Sequence, residues 1–554
     1  MGRTTNRQQK TSALLRAAVA ALVIALLGTA CGDSGGDSSA DTSVLSRPDG
    51  DRRNDDRAAT TAASSETTSA PATTAAESGG RISRPATTVS DSVMTTTTYA
   101  AESQEEPEVG DFERTSRQET STFALDVDTA SYTFARRAVF DGFLPDPNTV
   151  RVEEFVNSFA QDYAAPSRDT FAIYADGAPH ELVDDNTYVL RVGIASREVS
   201  DRRRPDANLT FVVDVSGSMK EEGKMELVKD SLHLLVDELD NDDRIAIVAY
   251  DDRAWVVLEP TFVDRSNDIH DAIDRLRPGG STNVDAGLQL GYELARDTFD
   301  EGLVNRVILA SDGVANRGNT DPERILADIA EDAGNGIQML AVGYGFGSYN
   351  DDMLERLANS GNGVYAYVDT IDEAERLFSD QLTSTLVTVA LDAKVQIEFN
   401  ADSVRSWRLL GFENRALSER DFNDPGIDAG EIGSGHTVTA LYEIDLARGV
   451  EPGDNDVLGT VHLKWIDPNS QRSEDTQGQV RATALDSSLR RATPHLRWDI
   501  AVATTAELLR RSEWVAHVDP EDVFDELVDV ARDLRTDEAD EFVDFFDIAL
   551  ALGL

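Results

Sequence analysis

The chain of 554 residues contains a single cysteine, Cys31, so no disulfide can form within it. Aromatic residues make up only 7%, and basic residues are scarce, with 51 Lys and Arg against 102 Asp and Glu. The resulting formal net charge of -51 repels nucleic acids and anionic lipid headgroups, which argues against a nucleic-acid-binding role. The sequence also lacks a G-x-x-x-x-G-K-[ST] phosphate-binding loop. A chain of this length exceeds one hydrophobic core, so we expect several domains.

The N-terminus has a pattern typical of exported proteins. Residues 1–30 contain basic side chains followed by the apolar run AAVAALVIALLGTA. A basic stretch, a short apolar core and small residues before a cleavage point are typical of a secretory signal. This core is too short to span a bilayer comfortably as a helix. We therefore predict a signal peptide over residues 1–30.

Cys31 directly follows Gly28, Thr29 and Ala30 at the end of this segment. The arrangement resembles the lipobox of bacterial lipoproteins, although Gly28 stands where leucine is commoner. The resemblance implies that Cys31 is lipidated and becomes the mature N-terminus, so that the protein is anchored in the cell membrane by its lipid alone and faces the extracytoplasmic side. An ordinary signal peptide with an unmodified cysteine is the alternative.

Residues 31–117 form a segment rich in Ser, Thr and Ala, with no aromatic residue between Cys31 and Tyr99. Such a composition cannot bury enough apolar surface to offset the entropy lost on ordering. We therefore predict a disordered tether that holds the folded part away from the membrane.

Residues 206–385 alternate between apolar strands and amphipathic helices. Strand, helix, strand in this order predicts an α/β fold, a doubly wound and mostly parallel sheet with helices on both faces. The stretch DDRAWVVLEP adds a short edge strand in a hairpin. The predicted strands of the sheet are Leu209–Val215, Arg244–Asp251, Arg306–Ser311, Ile337–Val342 and Val364–Asp369.

The flanking segments have different patterns. Residues 118–205 predict a strand, a turn, two short helices and two further strands. Residues 386–488 again favour strands, which we interpret as an antiparallel β-sandwich that shares strands with residues 118–205. Helical periodicity returns over residues 489–554, and its apolar stripes are expected to lie in a core.

Oxygen-bearing side chains follow two of the predicted parallel strands. Asp214 ends the first strand, and Ser216 and Ser218 come directly after it; Asp312 follows the third strand, and Thr282 lies in a loop before a helix. Ligands of open α/β sheets bind at the carboxyl ends of strands where the strand order reverses. Two carboxylates and three hydroxyls are hard donors that suit Mg²⁺ or Mn²⁺ and leave room for an outside ligand. The alternative is that Asp214, Ser216 and Ser218 only cap the following helix and satisfy backbone amides.

This D-x-S-x-S pattern, with a later loop threonine and an aspartate after a strand, resembles the metal-ion-dependent adhesion site of von Willebrand factor type A domains. All five family positions are matched in order, over about residues 206–385. The resemblance implies that the two serines and the threonine coordinate the ion directly or nearly so, and that the aspartates often act through water. It also implies that a Glu or Asp of a partner protein fills the open coordination position.

The segments DVDTASY, VRVEEFVNSF and YNDDMLERLANSGNGVYAYVDTIDEAERLF resemble a bacterial subfamily of surface von Willebrand factor type A proteins. Members of this subfamily have a characteristic N-terminal segment and a C-terminal region of unknown function. This second resemblance covers nearly everything after the tether and implies an architecture more than an activity.

Other catalytic patterns are incomplete. Asp126-x-Asp128 resembles the haloacid dehalogenase nucleophile, but Ala130 stands where that family needs Thr or Val. The stretch AVGYGFGSYN has Ser348 where a dinucleotide-binding loop needs its third glycine. No two of the seven histidines stand at metal-ligand spacing along the sequence, so zinc catalysis finds no support. The nearest candidate base for the serines, His233, falls in the middle of a predicted helix.

We therefore expect a lipid-anchored surface binding protein rather than an enzyme. Its Mg²⁺ or Mn²⁺ would capture an acidic group on a partner protein, in adhesion or envelope assembly. Two other interpretations remain open at this point: a metal-dependent hydrolase or phosphatase that uses the same ion, and a purely structural envelope protein.

Overall fold

The computed structural model describes residues 109–125, 129–200, 203–313, 322–345, 351–424, 427 and 429–554. The predicted signal peptide, Cys31, nearly all of the tether, the Asp126-x-Asp128 pair and Ser348 lie outside these ranges. Within them, no helix combines the length and the apolar character needed to cross a membrane.

The described elements fall into three successive groups along the chain. The first contains β1 (Glu113–Arg114), β2 (Thr120–Ala124), α1 (Ala130–Phe140), α2 (Val152–Asn157), β3 (Phe171–His180) and β4 (Asp184–Ser196). The second contains β5 (Ala207–Asp214), α3 (Lys224–Glu238), β6 (Arg244–Tyr250), β7 (Ala254–Phe262), α4 (Ser266–Ile273), α5 (Val284–Asp297), β8 (Val304–Ser311), α6 (Pro322–Gly334), β9 (Gln338–Tyr344), α7 (Asp351–Ser360), β10 (Val364–Val368), α8 (Ile371–Glu375) and α9 (Leu382–Leu386). The third contains β11 (Thr388–Phe399), β12 (Val404–Leu410), β13 (Ile432–Gly433), β14 (Thr437–Leu446), β15 (Val457–Asp467), β16 (Arg472–Arg481), α10 (Pro494–Leu509), α11 (Pro520–Leu534) and α12 (Asp537–Leu552).

The second group folds around a six-stranded sheet in the order β10-β9-β8-β5-β6-β7. All neighbouring strands are parallel except the edge pair β6 and β7, which is antiparallel. All eight residues of β5 are buried, as expected for a central strand covered on both faces. The α/β prediction and the edge hairpin are thus confirmed, and the five predicted parallel strands agree with the observed ones to within two residues at each end.

Helices cover both faces of this sheet. One apolar cluster packs α3 and α4 against one face, and a second cluster packs α5, α6 and α7 against the other. Because the chain passes from β5 to β6 on one side and places β8 on the other, the strand order reverses between β5 and β8. This reversal opens a crevice at the carboxyl ends of these two strands.

The first and third groups share two antiparallel sheets. One has the order β1-β12-β14-β4-β3, and the other has the order β13-β11-β15-β16 with β2 also paired to β11. Apolar residues from both sheets form one core, so the two sheets make a sandwich. The predicted strand sharing is confirmed. Strand β4 lies between β3 and β14, and β2 pairs antiparallel with β11, from Ala124 opposite Lys394 to Thr120 opposite Glu398.

The C-terminal helices α10, α11 and α12 pack with α1 and α2 in a further core cluster. Aromatic rings join these distant parts of the sequence, for example Tyr132 and Phe542 with ring centroids 5.6 Å apart. The helical stripes predicted over residues 489–554 therefore lie in a core, as expected.

Candidate metal site

The candidate site lies at the carboxyl ends of β5 and β8, where the strand order of the parallel sheet reverses. Asp214 is the last residue of β5, and Asp312 comes directly after the last residue of β8. After β5 the chain passes through a short loop into a 3-10 turn at Ser218–Gly223 and then into α3. The topology therefore brings together residues that are almost a hundred positions apart along the sequence.

Asp214 is fully buried and fixes the loop that follows it. One of its carboxylate oxygens accepts a hydrogen bond from the backbone N–H of Ser216 at 2.7 Å, and the other accepts from the hydroxyl of Ser311 at 3.0 Å. Burial raises the pKa of Asp214 to about 6, and the charge of Asp312 also raises it, whereas the hydrogen bonds from Ser216 and Ser311 lower it. The carboxylate is thus held by donors that leave it little freedom to move.

The two serines face each other and the second aspartate. The hydroxyl oxygens of Ser216 and Ser218 are 3.0 Å apart, and the Ser218 hydroxyl donates to Oδ1 of Asp312 at 3.0 Å. The other oxygen, Oδ2, accepts from the Nζ of Lys224 at 3.0 Å. Four of the five predicted residues are therefore linked by an unbroken chain of hydrogen bonds, and Lys224 extends it.

The loop that carries Thr282 is docked on the serine loop. The backbone N–H of Gly217 donates to the carbonyl oxygen of Gly280 at 3.0 Å, and that of Gly279 donates to the carbonyl of Val215 at 2.6 Å. A side chain on Gly217 would place its Cβ 3.1 Å from the Gly280 oxygen, so glycine permits this close approach. Thr282 is itself buried, two residues beyond Gly280.

The donor set fits a small, hard divalent cation. Hydroxyl and carboxylate oxygens are the ligands that Mg²⁺ and Mn²⁺ prefer, and they converge here at the edge of a sheet. The site has only two carboxylates, and the described ranges contain no group of three or more His, Cys, Asp or Glu side chains placed to hold a metal ion. The alternative, in which these side chains only cap the helix and satisfy backbone amides, holds for one contact, the bond from the Ser216 backbone to Asp214. The serine hydroxyls instead bond to each other and to Asp312, and no side-chain cap is found at the start of the following 3-10 turn or of α3.

Sequence reasoning missed several residues around this site. Ser311 and Lys224 hold the two aspartates, but neither belongs to the D-x-S-x-S pattern. The run ASDG offered a signal for Ser311, because a hydroxyl next to the second aspartate ends the same strand. Lys224 carried no distinctive local signal, since it is one lysine at the start of a helix.

Family models match three parts of the chain. Residues 208–380 match the family model of the von Willebrand factor type A domain, residues 98–189 match a model described as von Willebrand factor, and residues 384–552 match a model described as the C-terminal region of the uncharacterized protein YfbK. The chain therefore contains a von Willebrand factor type A domain, which indicates a role in protein interaction or adhesion.

The chain is 35% identical to the protein YfbK of Escherichia coli over 414 residues, which cover 71% of this chain and 72% of that protein. It belongs to the family of von Willebrand factor type A proteins that YfbK represents, which confirms the predicted subfamily architecture. The protein sll0103 of Synechocystis is 35% identical over 203 residues, covering 36% of this chain and 47% of that protein. A solved structure of a von Willebrand factor type A protein from Catenulispora acidiphila aligns with a TM-score of 0.39 and 16% identity, covering 63% of this chain and 81% of that one.

Proposed function

We propose that this chain is a binding protein of the cell surface that captures an acidic group of a partner protein through a bound divalent ion. The ion is Mg²⁺ or Mn²⁺, and when bound it supplies a coordination position for a Glu or Asp carboxylate of the partner. The observation that carries the proposal is the hydrogen-bonded convergence of serine hydroxyls and aspartates at the switch point of the sheet. The proposed ligands are Asp214, Ser216, Ser218, Thr282 and Asp312.

The aspartate and the serines of the site have different proposed roles. Asp214 is buried and hydrogen-bonded on both oxygens, so it holds the loop and supplies negative charge behind the ion. The hydroxyls of Ser216 and Ser218 are neutral donors, which leave an ion short of negative charge and therefore attractive to an outside carboxylate. No general base or nucleophile is needed for such capture, and we propose a non-enzymatic role.

A neighbouring groove supports an acidic partner. It has a volume of about 550 Å³ and begins at the residue that follows the second serine. Lys220, Lys229 and Arg277 line it, together with Glu226 and Asp274, and Lys229 is paired with Glu226 at 3.0 Å. A groove with more basic than acidic side chains stands out on a chain of net charge -51, and it favours a segment that carries further carboxylates.

The lipid anchor is the second part of the proposal. It depends on Cys31 and the signal-like segment before it, and it places the binding domain outside the cytoplasm on the cell membrane. In cells grown with a clickable fatty acid, the native chain should be labelled and Cys31→Ser should not. The variant should also be absent from the membrane fraction. Equal labelling of both proteins would contradict the proposed anchor and would leave the proposed metal site unaffected.

Magnesium titration of the purified protein tests the site itself. We expect one saturable Mg²⁺ per chain by calorimetry, weakened by more than about tenfold in Ser218→Ala and in Asp312→Ala. Ser218→Ala leaves the pair between Lys224 and Asp312 in place, so its loss of binding cannot be ascribed to a stranded lysine. Asp297→Ala, an exposed aspartate at the end of α5, is the matched control and should bind as the native chain does. Equal Mg²⁺ affinity in all four proteins would rule the site out.

Partner capture tests the use of the ion. Envelope extract passed over the immobilised protein should yield a partner in Mg²⁺, lose it in EDTA and regain it when Mg²⁺ is restored. The same partner should be absent with Ser218→Ala and present with Asp297→Ala. Capture that survives EDTA would contradict the proposed mechanism.

A further inference from the structure

A buried tyrosine lies next to Asp214 in the neighbouring strand of the sheet. Tyr250 ends β6 and pairs with Asp214 in the parallel register of β5 and β6. On the other side of β5, Ala310 pairs with Val213, so Ser311 also comes level with Asp214. Side chains that are level in adjacent strands lie on the same face of a sheet. Tyr250, Asp214 and Ser311 therefore form a row across three strands beside the proposed metal site.

Helix α5 fixes the ring of Tyr250 on this face. A Cβ on Gly287, near the start of α5, would lie 2.6 Å from the Cδ1 atom of the ring, so glycine permits this contact. The backbone carbonyl of Tyr250 also accepts a hydrogen bond from the N–H of Val215 at 2.9 Å. Because Val215 lies between Asp214 and Ser216, the main chain of Tyr250 already holds the loop of the site.

The hydroxyl of Tyr250 is a buried donor without a partner. Its oxygen makes no hydrogen bond of ordinary geometry within the described part of the chain. Burial raises the pKa of Tyr250 well above its usual value, the negative charge of Asp214 raises it further and Ser311 lowers it, so both groups lie close to the hydroxyl. Because an unpaired buried donor is destabilising, an acceptor close by is expected to use it.

Ser311 shows which acceptor is short of a donor. Its hydroxyl oxygen lies 3.0 Å from Oδ2 of Asp214 and also 3.0 Å from the carbonyl oxygen of Gly313. A serine hydroxyl has one proton, so it donates fully to only one of these two acceptors at a time. Whenever it donates to Gly313, Oδ2 of Asp214 is left without that donor. The spare donor of Tyr250 matches this missing one.

We infer that Tyr250 is a positioning residue of the proposed metal site, and that its hydroxyl donates to Oδ2 of Asp214. It does so when the Ser311 proton turns to the carbonyl of Gly313. The inference rests on the proposed function, in which Asp214 holds its loop and supplies charge behind the ion. Gly313 directly follows Asp312, so the Ser311 proton serves the strand ends of both aspartates. With a second donor, Asp214 stays fixed in either position of that proton.

Amide hydrogen exchange of β5, measured on the full chain in EDTA, tests this hydrogen bond without any metal. Tyr250→Phe removes only the hydroxyl and keeps the ring against Gly287. Tyr250→Phe and Ser311→Ala should each lower the protection of the β5 amides by about fivefold, since the remaining donor still serves Asp214. The double variant should lower it by about a hundredfold, more than the product of the single effects, because Oδ2 then has no side-chain donor.

Tyr344→Phe is the matched control. Tyr344 is also buried, and its hydroxyl likewise has no hydrogen-bond partner in the described ranges. It lies in the core cluster with α3 and α4, on the opposite face of the sheet from Tyr250. Its effect on protection should therefore combine with that of Ser311→Ala as independent effects do.

Magnesium binding measures the positioning role. Tyr250→Phe removes no proposed ligand, but it should weaken Mg²⁺ binding by about tenfold, as expected for a residue that holds a ligand from behind. Tyr344→Phe should bind Mg²⁺ as the native chain does. In the native chain labelled with carbon-13 at Cζ of tyrosine, the Tyr250 signal should shift when Mg²⁺ is added and the Tyr344 signal should not.

The outcomes separate this inference from the proposed function. Independent effects of Tyr250→Phe and Ser311→Ala, or greater protection in Tyr250→Phe than in the native chain, would overturn the inference, since the hydroxyl would then be an unpaired group. Unchanged Mg²⁺ affinity in Tyr250→Phe, beside a native chain that binds Mg²⁺, would also overturn it. A native chain that binds no Mg²⁺ would contradict the proposed function, and the exchange measurement in EDTA would still decide whether Tyr250 holds Asp214.

Discussion

Asp312 has two kinds of neighbour that compete for its charge. Its Oδ1 accepts from Ser218 within the proposed metal site, whereas its Oδ2 is paired with the buried ammonium of Lys224 at 3.0 Å. Both partners of the ion pair are nearly inaccessible to solvent, at 6% and 5% exposure, so the interaction is poorly screened. A positive charge at this distance stabilises the aspartate without a metal and also lowers the affinity of the site for a dication.

Replacing Lys224 should therefore separate stability from metal affinity. We expect Lys224→Met to bind Mg²⁺ about tenfold more tightly, because a repelling charge is removed from the site. Without Mg²⁺, the same variant should be less stable by about 3 kcal/mol, since Asp312 loses its buried partner. Calorimetric titration and denaturant unfolding with and without EDTA measure the two effects.

Lys220→Met is the control, because Lys220 is an exposed lysine of the same segment with no bond to Asp312. It should change neither quantity beyond a small electrostatic effect. A fall in Mg²⁺ affinity in Lys224→Met would contradict the competition and indicate that the lysine positions Asp312 instead.

Two adjacent glycines in the threonine loop differ in what they tolerate. Gly280 has a φ of +85°, and a Cβ there would lie 2.9 Å from the side chain of Asp251. Gly279 does not have a positive φ, and a Cβ there would meet nothing within 4 Å. The chain offers a strained and an unstrained position side by side.

Alanine at these two positions tests whether the docking of the loop matters for the metal site. Gly280→Ala should cost about 1–3 kcal/mol of stability and weaken Mg²⁺ binding, because the loop that carries Thr282 must shift. Gly279→Ala should leave both nearly unchanged. If Gly280→Ala lowers the melting temperature but leaves Mg²⁺ affinity intact, the docking of this loop does not control the metal site.

Helix α2 places two buried glutamates next to each other in different surroundings. Glu154 accepts hydrogen bonds from the backbone of Ser131 and from Arg151, each at 2.8 Å. Glu153 packs against the backbone of Gly411, and its Oε2 finds no partner in the described part of the chain. Burial, reinforced by the charges of Glu413 and Glu154, raises the pKa of Glu153 from 4.5 to about 7.

This raised pKa predicts that the contribution of Glu153 to the free energy of unfolding falls as the pH rises. Between about pH 4.5 and pH 7 the unfolded chain loses the Glu153 proton while the folded chain keeps it, so each unit of pH favours the unfolded state. Above pH 7 the penalty is constant. Glu153→Gln should therefore be more stable than the native chain at pH 8 and nearly equal to it at pH 4.5, as measured by denaturant unfolding.

Glu154→Gln, one residue further along the same helix, should do the opposite. It weakens the bonds to Arg151 and to the Ser131 backbone, so it should lower stability at pH 8. If the native chain gained stability relative to Glu153→Gln between pH 4.5 and pH 7, the raised pKa of Glu153 would be contradicted.

At the scale of elements, apolar pattern decides what the sequence can predict. The buried strands β5, β6 and β8 are short apolar runs that end in polar residues, so their position and the site residues at their ends could be predicted. Strand β16, with the sequence RSEDTQGQVR, has no such apolar pattern, because it is mostly exposed and almost wholly polar. It is a strand because it pairs along its length with β15, which local pattern does not reveal.

At the scale of the whole molecule, the pairing of distant segments was only partly predictable. Alternation indicated strands in residues 118–205 and 386–488, but the partners β2–β11 and β4–β14 follow from the closed core of the sandwich. The contact between His233 in α3 and His270 in α4 likewise follows from helix packing. Chain order thus inserts the α/β domain between two halves of one sandwich.

This insertion predicts which parts of the chain fold alone. Residues 206–385 contain every strand of the parallel sheet and nearly all of its two core clusters, so this fragment should unfold cooperatively and bind Mg²⁺. Residues 386–554 lack β2, β3 and β4 as well as α1 and α2, which leaves open strand edges and an incomplete core.

The C-terminal fragment should therefore aggregate or lack fixed tertiary packing when expressed alone, and regain it when residues 109–205 are co-expressed. Near-ultraviolet circular dichroism of the aromatic core, in which Tyr132 lies close to Phe542, reports the packing directly. Co-expression of residues 206–385 instead is the control and should not rescue it, because that segment supplies no strand to either antiparallel sheet. A native-like spectrum from residues 386–554 alone would show that the sandwich folds without the strands that precede the α/β domain.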